Sequence, residues 1–387
     1  MMKTIDQEQL AAAIEARAAS DLAEGKISGA SVLVSQHGAE CYRAYFGTTV
    51  PCGDVPVSAR TLYRMASMTK PISTAAALIA VERGLLSLSD KVSRYLPAYE
   101  NMTVIDPKAD GSYDTHPCEE PLTVWHLLTH TSGLANSRAL PALSDLKAAS
   151  LSLREYVDAL ATKPLAFTPA TAAEYNATAA FDVLTVILED VTGMDYLDYL
   201  TKEIFTPLGM RDTTFVPSEE QWARLITMHN RVDGKSVSST RWAGCVFQNI
   251  PANRYLGGAG LVSSLDDYAR FADMLRRGGN SESGRLLSES SVRMMARVQT
   301  PIPIQTARQD PFTYSERWGL GVRIVAKEAY ERLPVGAYGW SGAYGTHFFI
   351  DPVNDVVGIY LKNSAYDGGS GALTSANFEC DVHDALI

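Results

Sequence analysis

The sequence carries no excess of positive charge: 34 Lys and Arg residues are outnumbered by 44 Asp and Glu residues, and the net charge is −10. No cluster of basic residues offsets this balance, so the composition argues against a nucleic-acid-binding surface. Long apolar runs are also missing, since none approaches the ~18 residues that a membrane-spanning helix needs. The N-terminal residues are polar and acidic where a secretory signal would be apolar. We therefore expect a soluble protein of the cytoplasm, with neither membrane nor nucleic acid among its partners.

Cysteines and metal-binding patterns are scarce as well. The five cysteines are odd in number and include no C-x-x-C pair, which predicts reduced thiols. His126 and His130 lie one helical turn apart, but Leu127 stands where the H-E-x-x-H pattern of a zinc protease needs Glu. The glycines of residues 256–261 lack the G-x-G-x-x-G spacing of a phosphate-binding loop. No metal and no cofactor are predicted.

The order of helical and strand-like patterns predicts the domain organisation. A chain of 387 residues exceeds the roughly 250–300 at which a single core stops growing, so two domains are expected. Strand-like runs near both ends flank a mostly helical middle. We predict an α/β (α+β) fold in which residues 1–85 and 255–387 form a sheet domain and residues 86–254 form an inserted, mainly helical domain. Within the insert, residues 98–121 are predicted to form an irregular lid or binding loop.

The clearest chemical signal is a serine and a lysine three residues apart at the start of an apolar helix. Residues 72–81 are apolar on nearly every side, which is typical of a helix buried inside a domain. Pro71 fits such a helix only in its first turn, so the helix must begin near Ser67. On that helix the amine of Lys70 reaches the hydroxyl of Ser67. Because burial and the positive helix N-terminus both disfavour an ammonium ion, Lys70 is a candidate base for a serine nucleophile.

The spacing alone does not distinguish this pair from an ordinary helix cap with a nearby lysine. Ser144 and Lys147 repeat the same spacing among polar residues, without an apolar helix after them. The rest of the chain therefore has to decide which pair is functional.

Several short motifs in a fixed order resemble those of serine β-lactamases and penicillin-binding proteins. The chain is most similar to the class C-like esterases of this superfamily, often called family VIII carboxylesterases. The resemblance implies a β-lactamase-like fold, with a central antiparallel sheet flanked by helices and an inserted all-helical domain. The matching residues extend over roughly residues 27–365 and are Ser67-Met68-Thr69-Lys70, Leu127-Leu128-Thr129-His130-Thr131-Ser132-Gly133-Leu134, Tyr175, Pro207-Leu208-Gly209-Met210, Gly257-Gly258-Ala259-Gly260-Leu261 and Trp340-Ser341-Gly342.

The resemblance implies a covalent acyl-enzyme mechanism. Ser67 would attack the substrate carbonyl, Lys70 would accept or hold its proton, and Tyr175 would pass that proton to the leaving group and later activate water. The oxyanion would lie between the backbone amides of Ser67 and Ala343, the latter following an edge strand. The sequence leaves open how Lys70 and Tyr175 share the role of base.

The resemblance also assigns substrate-binding positions, and the pattern departs from the usual one in two places. Trp340, Ser341, Gly342 and Asn176 would line the substrate. Most β-lactamases have a lysine in place of Trp340, and a neutral ring cannot make the charge-assisted contact of that lysine with the drug's carboxylate. The Asn often found two residues after the tyrosine is replaced by Ala177, with Asn176 one position early. Both departures favour small, neutral carboxylic esters as substrates.

A serine esterase is therefore the expected function, and other functions stay open on the same scaffold. These are a β-lactamase, a D-aminopeptidase or another amidase. A non-catalytic binding protein of the same fold is less favoured, because Ser67, Lys70 and Tyr175 are all present. An α/β-hydrolase is disfavoured because residues 339–343 end in Ala where G-x-S-x-G needs Gly.

Overall fold

The computed structural model describes residues 2–134, 151–239, 254–303, 316–327, 332–369 and 372–387. The strands of its main sheet, in chain order, are β1 (Gly29–Gln36), β2 (Ala39–Gly47), β11 (Glu316–Trp318), β12 (Arg323–Val325), β13 (Tyr338–Ser341), β14 (His347–Asp351) and β15 (Val356–Leu361). The remaining strands form two-stranded pairs and are β3 (Leu62–Arg64), β4 (Thr103–Pro107), β5 (Tyr113–Pro117), β6 (His229–Val232), β7 (Lys235–Ser238), β8 (Val262–Ser264), β9 (Asn280–Ser281) and β10 (Gly284–Arg285).

Helices cover both faces of the main sheet and fill the middle of the chain. The α-helices are α1 (Gln7–Ala23), α2 (Thr69–Glu82), α3 (Val124–Leu128), α4 (Leu153–Ala161), α5 (Ala179–Thr192), α6 (Tyr196–Leu200), α7 (Thr206–Leu208), α8 (Glu219–Arg224), α9 (Leu265–Arg276), α10 (Glu289–Met295) and α11 (Leu373–Asp384). Single 3₁₀ turns occur at Ala66–Met68, Val92–Arg94 and Pro97–Tyr99, and a π-helical turn joins α6 to α7 at Thr201–Phe205.

The main sheet has seven strands in the order β11-β12-β13-β14-β15-β1-β2, and every neighbouring pair is antiparallel. Successive side chains of a strand point to opposite faces. Leu33 accordingly packs in the cluster that contains α2 and α9, whereas Val32 and Val34 pack beneath the terminal helices α1 and α11. The predicted central antiparallel sheet flanked by helices is confirmed.

Helix α2 carries the Ser67–Lys70 segment into the centre of the molecule. All its residues from Thr69 to Ala80 are buried, and it packs against α5. The helix ends before Gly84, whose φ of 69° is the left-handed conformation that glycine adopts without strain. Pro71 lies in the first turn, where its missing amide hydrogen costs little. The helix predicted over residues 72–81 is confirmed.

Residues 86–254 depart from the expectation of an all-helical insert. Besides helices they contain the hairpin β4–β5, and the hairpin β6–β7 follows α8. The interpretation of residues 98–121 as irregular was wrong, because β4 and β5 pair over five residue positions and follow a short 3₁₀ turn. Polar and proline residues hide this pairing from a periodicity argument, since β5 is exposed along its whole length.

One large hydrophobic cluster connects the two predicted domains. It contains Leu33 and Phe348 from the main sheet together with Val104 and Val186 from the 86–254 segment. The division at residues 85 and 255 therefore stays a prediction.

No helix within the described ranges is long and apolar enough to cross a membrane. Cys41, Cys52, Cys118 and Cys380 are free thiols. The Ser144–Lys147 pair lies outside the described residues.

Candidate active site

Ser67 sits in a tight turn just before α2. The preceding residue, Ala66, has a φ of 47°, a conformation that costs a residue with a side chain some free energy. The turn is fixed by hydrogen bonds from Thr69 Oγ1 to the Ala66 carbonyl (2.7 Å) and from the Met65 amide to the Leu261 carbonyl (2.8 Å). These contacts place the Ser67 hydroxyl at the mouth of a buried helix, with 8% of the residue exposed.

Two of the predicted catalytic side chains meet at Ser67. The Tyr175 hydroxyl donates a hydrogen bond of 2.5 Å to Ser67 Oγ, although the two residues are 108 positions apart in sequence. Lys70 Nζ lies 3.4 Å from the same oxygen. The Lys70 amine also lies 4.9 Å from the centre of the Tyr175 ring. A hydroxyl in contact with both a phenol and an amine has two routes for losing its proton.

Two backbone carbonyls orient the Lys70 amine. Nζ donates hydrogen bonds to the carbonyl oxygens of Ala177 (2.6 Å) and Gly258 (2.8 Å). These two acceptors occupy two positions around the nitrogen and leave a third directed at the Ser67 hydroxyl. No residue pattern indicated that Ala177 acts through its carbonyl. For Gly258 there was a signal, because the Gly257–Gly258 pair predicts close packing of the backbone. A Cβ at Gly258 would lie 3.3 Å from Lys70 Nζ.

An aromatic cluster supports the Tyr175 ring. Trp318 stacks on it with ring centres 5.9 Å apart, Trp340 lies 5.2 Å away, and His130 lies 4.9 Å away. Burial, with a smaller contribution from the charge of Lys70, holds the pKa of His130 well below its usual range. A neutral His130 therefore accepts a hydrogen bond at Nδ1 from the Asn176 amide (3.2 Å). Neither His130 nor Trp318 was predicted to support the tyrosine.

The end of β13 lies beside the Ser67 turn. Gly342 packs so closely there that a Cβ would overlap both Thr346 Oγ1 and the Met65 carbonyl. Ala343 follows as an exposed residue, and its amide bonds to no other described residue. These contacts place the end of β13, which Ala343 follows, beside the turn that holds Ser67, and the oxyanion site between the amides of Ser67 and Ala343 stays a prediction.

Strand β13 is not the edge strand that the sequence predicts, because β12 and β11 lie outside it. However, β12 pairs only with Tyr338 and Gly339 among the described residues. Within the described ranges, no strand therefore pairs with Trp340 and Ser341 on that side. The short length of β12, which no hydropathy pattern indicates, accounts for this.

Two predicted substrate-binding side chains are committed to protein partners. Asn176 donates from Nδ2 to the Leu134 carbonyl (2.6 Å) and accepts at Oδ1 from the Ala180 amide (3.2 Å). Ser341 bonds to His347 Nδ1 (2.8 Å) on the face of the sheet opposite the Trp340 ring. Their predicted contact with substrate stays untested by this arrangement, and Trp340 itself is only 2% exposed.

The paired histidines have structural partners. His126 Nδ1 caps the start of α3 by accepting from the Thr123 amide (3.1 Å). Its neighbour His130 contacts the aromatic cluster. Within the described ranges, no group of three or more His, Cys, Asp or Glu residues is arranged to hold a metal ion.

The profile of the beta-lactamase family matches residues 10–377 of the chain. The chain belongs to the beta-lactamase family. Among similar proteins, Esterase EstB of Burkholderia gladioli is 31% identical over an alignment of 401 positions that covers 96% of this chain and 95% of EstB. An uncharacterized protein of Mycobacterium tuberculosis is 32% identical over 348 residues, 87% of this chain and 86% of that protein.

A solved structure of the same fold agrees with this assignment to the beta-lactamase family. EstCE1, a hydrolase with promiscuous acyltransferase activity, superposes with a TM-score of 0.79 at 25% identity and covers 98% of each chain. The match to the family profile confirms the resemblance drawn from the motifs, and the chain is a serine hydrolase of the beta-lactamase family.

Proposed function

We propose that the protein hydrolyses small, neutral carboxylic esters through an acyl-enzyme formed on Ser67. The observation that carries this proposal is the convergence of Tyr175 and Lys70 on one hydroxyl, at 2.5 and 3.4 Å. Esterase EstB, alike over nearly the whole chain, supports the choice of esters.

In the first half of the reaction, Ser67 Oγ forms a bond to the ester carbonyl carbon. The proton of Ser67 moves to Lys70 or Tyr175, and the carbonyl oxygen becomes an oxyanion held by the amides of Ser67 and Ala343. When the tetrahedral intermediate collapses, the bond to the alkoxy group breaks. Tyr175 then gives that leaving group a proton, so the alcohol departs neutral.

In the second half, water replaces the alcohol. Tyr175, which has given its proton to the alcohol, takes a proton from the water as the water attacks the acyl carbon. When the second tetrahedral intermediate collapses, the bond between its carbon and Ser67 Oγ breaks, the carboxylic acid leaves, and Lys70 or Tyr175 returns a proton to Ser67 Oγ. The two carbonyls on Lys70 keep the amine directed at this oxygen throughout.

The substrate preference follows from the surroundings of Tyr175. Besides the Lys70 amine, the rings of the described residues that lie against Tyr175 are those of Trp318, Trp340 and the neutral His130. An anionic substrate would find no second cation among these contacts, so it would lose its charged hydrogen bond. Neutral acyl groups that pack against aromatic rings are favoured instead.

Hydrolysis of short-chain nitrophenyl esters tests the proposal. Wild-type protein should release nitrophenol, and Ser67→Ala should abolish the release while Ser144→Ala retains it. Equal rates for wild-type and Ser67→Ala protein would contradict the mechanism. A chromogenic cephalosporin should be turned over slowly or not at all, and fast turnover would assign the protein to the β-lactamases instead.

Acyl transfer is a second candidate function. EstCE1 combines hydrolase with acyltransferase activity, and an acyltransferase of Monascus pilosus is 30% identical over 310 residues. An alcohol would then take the place of water in the second half of the reaction. Added short alcohols should divert the acyl group to a new ester at a rate that saturates with alcohol concentration. An unchanged yield of free acid would exclude this activity for the alcohols used.

Several expectations stay predictions alongside this proposal. They include the cytoplasmic location, the amidase and D-aminopeptidase alternatives, and the two-domain division. A peptide or amide substrate that is hydrolysed faster than every ester would favour the amidase alternative.

A further inference from the structure

A row of three buried polar side chains, Ser341, His347 and Glu379, lies behind the candidate active site. Ser341 Oγ bonds to His347 Nδ1 at 2.8 Å, and His347 Nε2 lies 3.1 Å from Glu379 Oε1. Ser341 and His347 are direct partners across the antiparallel β13–β14 pair, while Glu379 belongs to α11. Each of the three residues is at most 3% exposed. His347 therefore hydrogen-bonds to the strand that leads to Ala343 and lies against Glu379 of the C-terminal helix without an aligned hydrogen bond to it.

This arrangement is not a second catalytic triad. In a serine hydrolase triad, the serine contacts Nε2 of the histidine and the acid contacts Nδ1, which is the reverse of the order found here. Moreover, the burial of Ser341 leaves no room for a substrate carbonyl at its hydroxyl. A role in holding the strand fits the geometry better than a role in bond making.

Buried charges fix the protonation state of the histidine. Arg323 forms ion pairs with both Glu379 and Glu316, and Arg332 Nε lies 3.6 Å from Glu379. Two guanidinium groups balance two carboxylates among these described residues, so a charged His347 would add an uncompensated charge. Burial, and next the charges of Arg323 and Arg332, hold the pKa of His347 well below its usual range.

The neutral ring has one tautomer that suits both neighbours. Nε2 lies 3.1 Å from a carboxylate oxygen of Glu379 without the alignment of a hydrogen bond, and a lone pair on Nε2 would repel that carboxylate, so Nε2 carries the hydrogen. Nδ1 then holds a lone pair and accepts the hydrogen of the Ser341 hydroxyl. The Ser341 side chain is thereby fixed in one orientation on the face away from Trp340.

We propose that His347 and Glu379 are positioning residues that act through Ser341 to hold the end of β13, and with it the Ala343 amide, at the distance from Ser67 that oxyanion binding requires. This role rests on the proposed acyl-enzyme function. Gly342 packs directly against Met65 in the nucleophile turn, so a shift of Ser341 would be transmitted to Ala343 over two residues. Positioning of this kind affects the transition state more than the bound ester.

The test is a double-variant cycle on ester hydrolysis. His347→Leu and Ser341→Ala should each lower kcat by about tenfold or more, since complete loss of an oxyanion donor costs about 10²–10³. KM should change by less than about twofold, and the pH profile should keep its shape because Lys70 and Tyr175 are untouched. The double variant should be no slower than the slower single variant. His347→Gln, which keeps a donor and an acceptor, should recover part of the rate.

Asp381→Asn provides the matched control. Asp381 lies two residues after Glu379 on α11 but bonds to Arg17 of α1 at 2.6 Å, so its loss weakens helix docking without touching Ser341. Glu379→Gln should lower kcat, whereas Asp381→Asn should leave kcat unchanged. Equal losses in both variants, a wild-type kcat in His347→Leu, or multiplicative losses in the double variant would each overturn the proposal.

The rate at which a fluorophosphonate labels Ser67 separates this proposal from the proposed function. If wild-type protein is labelled but hydrolyses none of the esters, the esterase function fails, and slower labelling of His347→Leu still supports the positioning role. If esters are hydrolysed and His347→Leu is labelled at the wild-type rate, the positioning role fails and the esterase function stands.

Discussion

Replacing Tyr175 by Phe removes one hydroxyl from the candidate active site and leaves the ring in place. The lost contact is the 2.5 Å hydrogen bond to Ser67 Oγ. The ring keeps its contacts with Trp318, Trp340 and His130, which are all aromatic. We therefore expect the folded structure to persist, with a change in the free energy of unfolding within about 1 kcal/mol.

The expected loss of activity is much larger than the loss of stability. Proton transfer by a positioned side chain contributes about 10²–10⁴ to a rate, so kcat/KM of Tyr175→Phe should fall by that factor. This corresponds to about 3–5 kcal/mol in transition-state stabilisation. Lys70, at 3.4 Å from Ser67 Oγ, remains to take the proton in the first step, so labelling of Ser67 by a fluorophosphonate should fall less than turnover does.

The assay is steady-state hydrolysis of a nitrophenyl ester, combined with thermal unfolding of the same preparations. Tyr199→Phe is the matched control, because the Tyr199 hydroxyl donates a 3.0 Å hydrogen bond to the Ala76 carbonyl, farther along α2. That variant should lose about 1 kcal/mol of stability and no activity. A Tyr175→Phe variant within about threefold of wild-type activity would refute the proposed role of the hydroxyl.

Three further predictions concern the walls of the site and its pH response. Gly342→Ala should fold with about 1–3 kcal/mol less stability and lose tenfold or more in kcat, because its Cβ would push β13 away from Met65; wild-type kcat in a folded variant would contradict this. Trp340→Ala should lower the free energy of unfolding, measured by chemical denaturation, by about 3–5 kcal/mol, since the ring is almost fully buried. A loss below about 1 kcal/mol would show that Trp340 does not support the aromatic cluster. Burial raises the pKa of Asp182 to about 7, against opposing contributions from Arg254 and Lys70. In the folded protein Asp182 therefore keeps a proton that the unfolded chain releases near pH 4. As pH rises from about 4 to 7, the contribution of Asp182 to the free energy of unfolding decreases. Asp182→Asn should remove this decrease. The free energy of unfolding of the variant minus that of the wild type should therefore be up to about 3 kcal/mol larger at pH 8 than at pH 5. The same difference at both pH values would show that Asp182 does not carry this proton.

The sequence predicted those parts of the molecule that rest on local patterns. The buried helix α2 follows from its apolar residues and from Pro71 in the first turn. The family follows from motifs whose order is visible without a structure, and the profile match bears it out. Residues that act through their backbone escaped notice, because the Ala177 carbonyl on Lys70 depends on chain geometry and not on residue type.

Contacts between segments that are distant in sequence could not be predicted from local patterns either. Trp318 supports Tyr175 only because β11 folds back along β12, and neither short strand shows a clear period-2 pattern. Likewise, His347 of β14 and Glu379 of α11 lie next to each other although they are 32 positions apart in sequence. The β4–β5 hairpin was missed because its second strand is exposed and polar, so hydrophobic alternation gave no signal.

Covalent labelling by a fluorophosphonate shows directly whether Ser67 is the nucleophile. The protein is treated with one equivalent of a fluorophosphonate, digested, and the modified peptide is sequenced by mass spectrometry. The proximity of Tyr175 and Lys70 to Ser67 Oγ predicts a single adduct on Ser67, with none in Ser67→Ala protein. An adduct on another residue, or equal labelling of the Ser67→Ala variant, would show that Ser67 is not the nucleophile.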